Sequence, residues 1–373
     1  MITLRAAELV RADLPLVRPF RTSFGVQELR EAVLVRVVCD VEGVEAEGWG
    51  ECVAGSDPFY SAEWGLGAWV LLREVLLPML AEEPLTTIED TPAAMSEVRG
   101  NRMAKAAAEM AITDAALRAR GVSLKAYLGG ERDRVECGVS IGIMDSPDDL
   151  VAAVGTYLGD GYTRIKCKIE PEADVAFIAA VRETFPDIAL TVDANAAYTL
   201  ADADLLARLD AFDLDYIEQP LAEEELMEHA ALARLIETPI CLDETIVSAK
   251  SAEDAIALGA CEVINIKQGR VGGLAEASWT HDVCVEHEIP VWCGGMLETG
   301  LGRAANLALA SLPGFTMPGD TSPSSRYFHE DITAPFEMAP DGTIAVPTGP
   351  GLGVAPLPGI MARVVAEREK VEL

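Results

Sequence analysis

The chain has 373 residues, 50% of them hydrophobic, and a formal net charge of −32 at pH 7. This length suits a barrel together with a second domain, and the composition is that of a folded globular protein. So strong a negative charge repels nucleic acid and anionic membranes, so neither is expected as a partner. An anionic substrate would then need a local positive patch or a metal ion to bind it.

The chain shows no sign of export or of membrane insertion. Its first residues carry charge where a signal peptide needs an apolar stretch, and no apolar run approaches the roughly 20 residues of a membrane-spanning helix. The eight cysteines include no C-x-x-C pair and several lie in apolar runs, so buried free thiols are expected. These features predict a cytoplasmic protein.

Residues 1–128 are predicted to form an α+β domain. Apolar, β-branched segments such as 31–38 indicate strands up to about residue 60. From there to about residue 128 the apolar spacing is helical, most clearly in 103–120, where Gly121 offers a stop. Strands followed by helices are typical of an α+β unit.

Residues 129–320 repeat a strand and a helix about every 25 residues. Eight such units favour a closed β/α barrel, although a doubly wound open sheet has the same alternation. Residues 321–373 are rich in proline and break this rhythm; we expect them to pack back on the first domain, followed by a short helix. The predicted strand centres are Ile141, Lys166, Val192, Ile217, Leu242, Ile266, Trp292 and Thr316.

Three acidic residues stand at the ends of consecutive predicted strands. Asp193, Glu218 and Asp243 are spaced 25 residues apart, and active sites of β/α barrels form at this end of the strands. Such spacing places the carboxylates side by side, where their mutual repulsion calls for a cation. Oxygen ligands with room left for water or substrate suit Mg²⁺.

Lysines stand at strand ends on either side of these acids. Lys166 and Lys168 share one face of their strand, with Cys167 turned toward the helices. Lys267 comes four repeats later, half-way round the barrel, so two candidate bases would face each other across the metal site. Alone, each charged residue is more typical of a solvated strand end or a loop cap. Their joint order is what indicates catalysis.

The motifs K-x-K, D-x-N, E-Q-P, D-E and N-x-K, in this order, resemble those of the enolase superfamily, muconate-lactonising subgroup. Segments 22–27, 139–142, 269–273, 291–300 and 318–321 are similar to the branch of o-succinylbenzoate synthases and N-succinylamino acid racemases. The resemblance covers nearly the whole chain. It implies an α/β fold in which a modified TIM barrel, (β/α)7β, carries an α+β N-terminal capping domain.

The resemblance also implies a mechanism. Lys168 and Lys267 would be the acid/base pair acting on the carbon next to a substrate carboxylate, and Lys166 would help to hold that carboxylate. Mg²⁺, or Mn²⁺ or another divalent metal in its place, would stabilise negative charge on the substrate oxygens. Nearby cations, Arg270 among them, would lower the lysine pKa toward about 7–8. Arg270 and Glu244 are expected just outside the metal ligands and bases; a plain ion pair between Arg270 and an acid is the alternative.

Substrate recognition is expected at a separate group of residues. Glycines there would let the backbone approach a distal acyl group closely. Phe20 and Tyr327 would line an apolar pocket, or else serve only in packing. The proposed substrate-binding residues are Ser140, Asn195, Gly294, Gly295, Met296 and, in an N-terminal loop, Phe24.

The resemblance leaves two activities open at one site. Dehydration to o-succinylbenzoate, in menaquinone biosynthesis, and racemisation of N-succinylamino or other N-acylamino acids both begin with loss of the same proton. A dipeptide epimerase or a muconate cycloisomerase is the alternative within the subgroup, and the absence of an Asp-x-Asp motif around Asp320 disfavours the epimerase. A barrel lyase with a Schiff base on Lys168 would leave the three acids unexplained. A homo-oligomer, dimer or octamer, acting on a small carboxylate is expected.

Overall fold

The structure is a computed structural model that describes residues 1–23 and 25–373. Its first unit contains the long antiparallel hairpin β1 (Ile2–Thr22) and β2 (Gly25–Val41), in which Ile2 pairs with Val41. Strand β3 (Val44–Cys52) extends the hairpin on one side and β13 (Val365–Val371) on the other, in the order β13-β1-β2-β3. We call this sheet, together with its helices, the cap.

The longest helix of the cap lies directly on the sheet, because two glycines of β3 leave room for it. A Cβ atom on Gly48 would stand 2.2 Å from the Ala111 carbonyl oxygen, and one on Gly50 would stand 2.0 Å from that of Ala107. Only glycine allows so close an approach of two backbones. The cap helices are α1 (Gly65–Leu71), α2 (Leu77–Glu82), α3 (Asp90–Ala94), α4 (Arg102–Arg120) and α5 (Leu124–Leu128), with a π-helical turn at Leu72–Leu76.

The second unit is a curled parallel sheet whose seven strands pair in chain order. Their side chains are almost all buried, as expected for parallel strands covered by helices. Strand β4 (Arg134–Glu136) lies outside this sheet and pairs with β12 (Thr343–Ala345). The parallel strands are β5 (Gly138–Ile141), β6 (Arg164–Lys168), β7 (Leu190–Asp193), β8 (Ile217–Glu218), β9 (Ile240–Leu242), β10 (Val263–Ile266) and β11 (Val291–Cys293).

The segment 315–320 closes the ring between β11 and β5. Phe315 bridges to Val291, and the Gly319 carbonyl accepts a hydrogen bond of 2.7 Å from Gly138. Pro318 has no backbone N–H, which explains why this eighth element forms isolated bridges rather than a regular strand. The predicted α/β fold class, with seven strands at the expected positions and a separate N-terminal sheet, is confirmed.

Helices cover the outside of the barrel. None of the helices described in 1–23 and 25–373 has the length and apolar character that a bilayer crossing requires. The barrel helices are α6 (Pro147–Gly159), α7 (Val175–Thr184), α8 (Ala203–Leu206), α9 (Leu226–Leu232), α10 (Ala249–Leu258), α11 (Gln268–Val271), α12 (Leu274–Glu286) and α13 (Gly300–Ala310), with 3-10 turns at Leu200–Asp202, Ala207–Phe212 and Ser324–Arg326.

The chain ends on the cap sheet. Helix α14 (Pro358–Val364) leads into β13, whose Val371 pairs with Ala7 of β1. The expected short helix is present, and a strand follows it and occupies the edge of β1. The eight cysteines are all buried and free, as predicted.

Two buried carboxylates of the cap bind the amino ends of barrel helices. Glu51 accepts hydrogen bonds from the Thr299 hydroxyl at 2.6 Å and the Gly302 amide at 3.0 Å, at the start of α13. Glu109 accepts one of 2.9 Å from the Ala275 amide at the start of α12. Helix amino ends carry partial positive charge, so these contacts fasten the cap to the barrel.

Glu109 should make the stability of the protein depend on pH. Burial, with a smaller effect of Glu276, raises the pKa of Glu109 to about 7. The folded state therefore holds a proton that the unfolded state releases above about pH 4.5, and stability contributed by Glu109 is lost as the pH rises from about 4.5 to 7. We expect Glu109→Gln to remove this loss.

The measurement is urea unfolding of both proteins between pH 5 and 8. The free energy of unfolding of the variant, relative to the parent, should increase across this range by up to roughly 3 kcal/mol. The exposed Glu224→Gln substitution is the control. A difference that stays constant with pH would contradict the assignment.

Candidate active site

The predicted charged residues meet at the carboxyl ends of the parallel strands. Lys168 pairs in register with Asp193, and Asp193 pairs with Glu218 on the next strand. Asp243 follows the end of β9 and Lys267 follows the end of β10. A parallel sheet brings these ends to one edge, so five strands contribute side chains to one region.

Gln219 ties two of these strands together. Its side-chain oxygen accepts hydrogen bonds from the amides of Asp243, at 3.0 Å, and Thr245, at 3.2 Å. Its amide group donates to the Thr245 hydroxyl at 2.8 Å. The glutamine of the E-Q-P motif therefore fixes the backbone that carries Asp243.

Each of the three acids is bound by a cation of the chain. Lys166 lies 2.9 Å from Glu218 and 3.2 Å from Asp193. Lys168 lies 2.5 Å from Asp193, and Lys267 lies 2.7 Å from Asp243. Buried charges of both signs thus compensate one another in the barrel mouth.

Lys166 is the most enclosed of the lysines. Its ammonium contacts a third carboxylate, that of Asp320, at 2.6 Å and lies 4.7 Å from the centre of the Trp292 ring. Arg164 holds the same carboxylate from the other side at 2.9 Å. Although burial opposes its charged form, Asp320, Glu218 and Asp193 raise the pKa of Lys166 well above its usual value.

Lys168 is held by Asn195 as well as by Asp193. The Asn195 side-chain oxygen accepts a hydrogen bond of 2.6 Å from the lysine, and its amide group donates one of 2.9 Å to Glu244. Burial, and next the charge of Asp193, raise the pKa of Glu244 to about 7. Glu244 therefore acts on Lys168 through Asn195 rather than by direct contact.

Lys267 contacts a residue of the cap. Its ammonium donates to the Tyr60 hydroxyl at 3.1 Å and lies 5.0 Å from the centre of the Tyr60 ring. Arg270 is bonded to Asp243 and donates to the backbone oxygens of Ile246 at 2.7 Å and Asn265 at 2.5 Å. These are the contacts expected if Arg270 forms a plain ion pair with an acid, the alternative given above to a catalytic effect.

The acids differ in pKa although they are neighbours. Burial opposes ionisation of Asp193, but Lys168 and Lys166 hold its pKa well below the ordinary value. Burial and the charge of Asp193 raise the pKa of Glu218. For Lys267, Tyr60, Glu244 and Glu218 outweigh burial and raise the pKa. The raised pKa of Lys267 follows from the chain's own charges, and the lowered pKa expected for the base beside a bound metal stays a prediction.

The donor set fits a hard divalent cation in its chemistry. Asp193, Glu218 and Asp243 supply only oxygen atoms and three potential negative charges, which is the ligand type that Mg²⁺ prefers. As the side chains are placed, no three acidic, histidine or cysteine residues within 1–23 and 25–373 converge closely enough to hold an ion. Amines stand in contact with the carboxylates instead, so metal binding requires them to turn aside.

A cavity of about 460 Å³ lies between the cap and the barrel mouth. Lys166, Lys168 and Lys267 line it from the barrel, and Arg30 and Tyr60 line it from the cap. A cavity of this volume suits a small organic substrate.

The residues proposed for substrate binding are mostly found on the cavity wall. Ser140 lines it, and its buried hydroxyl has no hydrogen-bond partner within the described part of the chain. Gly294 lies behind Lys267, where a Cβ atom would come within 2.6 Å of the lysine Cε. Phe24 lies outside the described residues. The other lining residues of the prediction are Asn195, Gly295, Met296, Phe20 and Tyr327.

Sequence reasoning missed two residues that contact the lysines. Asp320 follows the predicted eighth strand. Acids at the carboxyl ends of barrel strands are candidate site residues, so the sequence does contain a signal for Asp320. Tyr60 lies in a cap segment with no repeat and no motif, and nothing in the sequence relates it to Lys267.

Two family models match the chain. Residues 149–359 match the enolase C-terminal domain-like model, and residues 5–129 match the N-terminal domain model of mandelate racemase and muconate lactonizing enzyme. Together they cover most of both structural units described above.

Individual relatives are similar over nearly their full length. An N-succinylamino acid racemase of Amycolatopsis is 57% identical, covering 98% of each chain. An o-succinylbenzoate synthase of Geobacillus kaustophilus is 50% identical, over 91% of this chain and 90% of the relative. A crystal structure of an enolase superfamily member from Listeria innocua has a TM-score of 0.95 at 39% identity, covering 100% of this chain and 99% of the other.

Mg²⁺ should stabilise the protein through the three acids. Binding to the folded state alone contributes about 2.7 kcal/mol at a concentration 100 times Kd, so we expect Mg²⁺ to raise the melting temperature measured by calorimetry. Glu218→Gln should abolish the rise, whereas the exposed Glu224→Gln should keep it. A parent protein without any rise, or an equal rise in Glu218→Gln, would contradict the site.

Proposed function

Because the chain belongs to the family of enolase-like enzymes that includes mandelate racemase and muconate lactonizing enzyme, we propose that it removes the proton next to a carboxylate, as an o-succinylbenzoate synthase, an N-succinylamino acid racemase, or both. The observation that carries this proposal is the pair of lysines at one cavity, Lys168 at the end of strand β6 and Lys267 directly after strand β10. Each is bonded to one member of the acid cluster.

The two lysines have the roles of acid and base. Lys168 removes the proton from one face of the substrate carbon, and Lys267 serves the opposite face. The sheet separates their strands by three others, which is why they approach the cavity from different sides. Lys166, enclosed by Asp193, Glu218 and Asp320, stays charged and helps to hold the substrate carboxylate.

Asp193, Glu218 and Asp243 are the proposed metal ligands. A bound divalent ion, which we propose to be Mg²⁺ with Mn²⁺ as a substitute, supplies positive charge to the substrate carboxylate while negative charge develops there. Arg270 neutralises and orients Asp243 through their ion pair. Glu244 orients Asn195, and Asn195 orients Lys168.

The far end of the substrate is proposed to lie against the cavity wall. The Ser140 hydroxyl and the backbone at Gly295 offer hydrogen bonds to an acyl group, and Met296, Phe20 and Tyr327 offer apolar surface. Gly294 contributes by leaving room for Lys267. Phe24 is proposed to complete this end of the site.

The site supports two outcomes from one intermediate. Racemisation needs a proton donor on the face opposite to the base, and thus both lysines. Dehydration needs one base, Lys168, and loss of the hydroxyl group. The two activities are those named for the 57% and 50% identical relatives, so both belong to the proposal.

Other activities are less well supported. A dipeptide epimerase is disfavoured because the sequence around Asp320 contains no Asp-x-Asp motif. A muconate cycloisomerase is the remaining alternative of the subgroup. A Schiff base on Lys168 would give a covalent adduct with substrate after borohydride reduction, and such an adduct would overturn the proposed mechanism. Cytoplasmic location and a dimeric or octameric assembly stay predictions.

The deciding experiment compares kcat/KM of the purified protein for two substrates. One is the cyclohexadiene carboxylate precursor of o-succinylbenzoate, and the other is an N-succinylamino acid. We expect turnover of at least one substrate with Mg²⁺, loss of turnover with EDTA, and recovery when Mg²⁺ is restored. Failure to turn over either substrate in the presence of Mg²⁺ would refute the proposed function.

Replacing each lysine should separate the two activities. Lys168→Ala should abolish both dehydration and racemisation, because each needs this base. Lys267→Ala should lower kcat/KM for racemisation by about 10³-fold, which lies within the range expected for loss of general acid–base catalysis. The exposed Lys250→Ala, whose amine pairs with Glu253 and Asp254, is the control. Full racemase activity in Lys267→Ala would contradict the two-base scheme.

A further inference from the structure

Among the described residues, each candidate base contacts one carboxylate and one uncharged oxygen. Lys168 lies 2.5 Å from Asp193 and 2.6 Å from the Asn195 side-chain oxygen. Lys267 lies 2.7 Å from Asp243 and 3.1 Å from the Tyr60 hydroxyl. The two amines thus have matching surroundings, but the uncharged partner of Lys267 comes from the cap.

Tyr60 contacts this part of the site in two ways. Its hydroxyl accepts from Lys267 and lies 3.5 Å from the Asp243 carboxylate, to which it donates. The face of its ring lies 5.0 Å from the lysine nitrogen, within the range of a cation–π contact. Both contacts hold the ammonium on the cap side of the cavity.

A hydroxyl partner suits a residue that must gain and lose a proton. The Tyr60 hydroxyl can accept a hydrogen bond from the ammonium form of Lys267 or donate one to its neutral amine. Tyr60 can therefore hold Lys267 in place through both halves of a proton transfer.

We propose that Tyr60 is a positioning residue that aims Lys267 at the substrate carbon and thereby favours racemisation over dehydration. This inference rests on the proposed function, because it assigns the face served by Lys267 to the racemase reaction alone. Dehydration with Lys168 as its base does not use that face. A cap residue would then adjust the balance of two activities whose bases both belong to the barrel.

The test is Tyr60→Phe, which keeps the ring and removes the hydroxyl. In D2O, proton NMR follows exchange of the α-proton for each enantiomer of an N-succinylamino acid, and the two kcat/KM values are measured in parallel. Loss of one hydrogen bond to a charged group corresponds to about 10- to 100-fold in rate. We expect such a loss in kcat/KM for racemisation. The same loss is expected in the α-proton exchange rate of the enantiomer that Lys267→Ala fails to exchange. The other enantiomer and dehydration should change by less than about threefold.

A purely structural or substrate-binding role of Tyr60 would give a different pattern. Equal losses for both enantiomers, a rise in KM alone, or unchanged racemisation would each overturn the inference. Calorimetric titration should show that Mg²⁺ binds the variant as tightly as the parent, and a weaker affinity would also overturn it. These outcomes differ from failure of the proposed function, in which the parent protein itself turns over neither substrate.

Two further variants complete the design. Tyr127→Phe removes a cap hydroxyl that donates to Glu89 at 2.9 Å, and it should change neither activity. If Tyr60→Phe does not fold, as judged by circular dichroism, Tyr60→Leu is used in its place. The same one-sided loss is expected for that variant, and an equal loss for both enantiomers would again refute the inference.

Discussion

The compensation of buried charges at the barrel mouth is the interaction on which the site depends. The single ammonium group of Lys166 contacts three carboxylates, those of Asp193, Glu218 and Asp320. Removing one partner of such a pair leaves an uncompensated charge in a region of low dielectric constant, which costs several kcal/mol. The same pairing holds each amine at a defined carboxylate, so stability and the arrangement of the site have a common origin.

The cap supplies part of this arrangement rather than only a cover. Glu51 and Glu109 bind the amino ends of barrel helices and fix how the two units meet. Given that contact, Tyr60 is brought to Lys267, and Arg30 to the cavity wall. The interface carboxylates therefore have a functional consequence, because they determine where a cap side chain stands relative to a barrel base.

Much of the fold and the acid–lysine set could be predicted because the sequence signals are local and repeated. A strand period of two and a repeat of about 25 residues place Asp193, Glu218 and Asp243 at equivalent positions. Asp320 obeys the same rule, but Pro318 makes the eighth element irregular, so its place at a strand end is less evident from the sequence. The direction of the Lys267 pKa shift could not be predicted, because it depends on which neighbouring charges are nearest.

The order of the elements, the residue types at the strand ends and the resemblance to the enolase superfamily all follow from the amino-acid sequence. Three features became evident from the packing of the folded chain: Lys166 lies among three carboxylates, Asn195 and Tyr60 are the uncharged partners of the two bases, and Glu109 reaches helix α12. The physical reason is that periodicity follows from the geometry of neighbouring residues along one segment. Contacts such as that between Tyr60 and Lys267, 207 residues apart, depend on how two separately patterned units pack together.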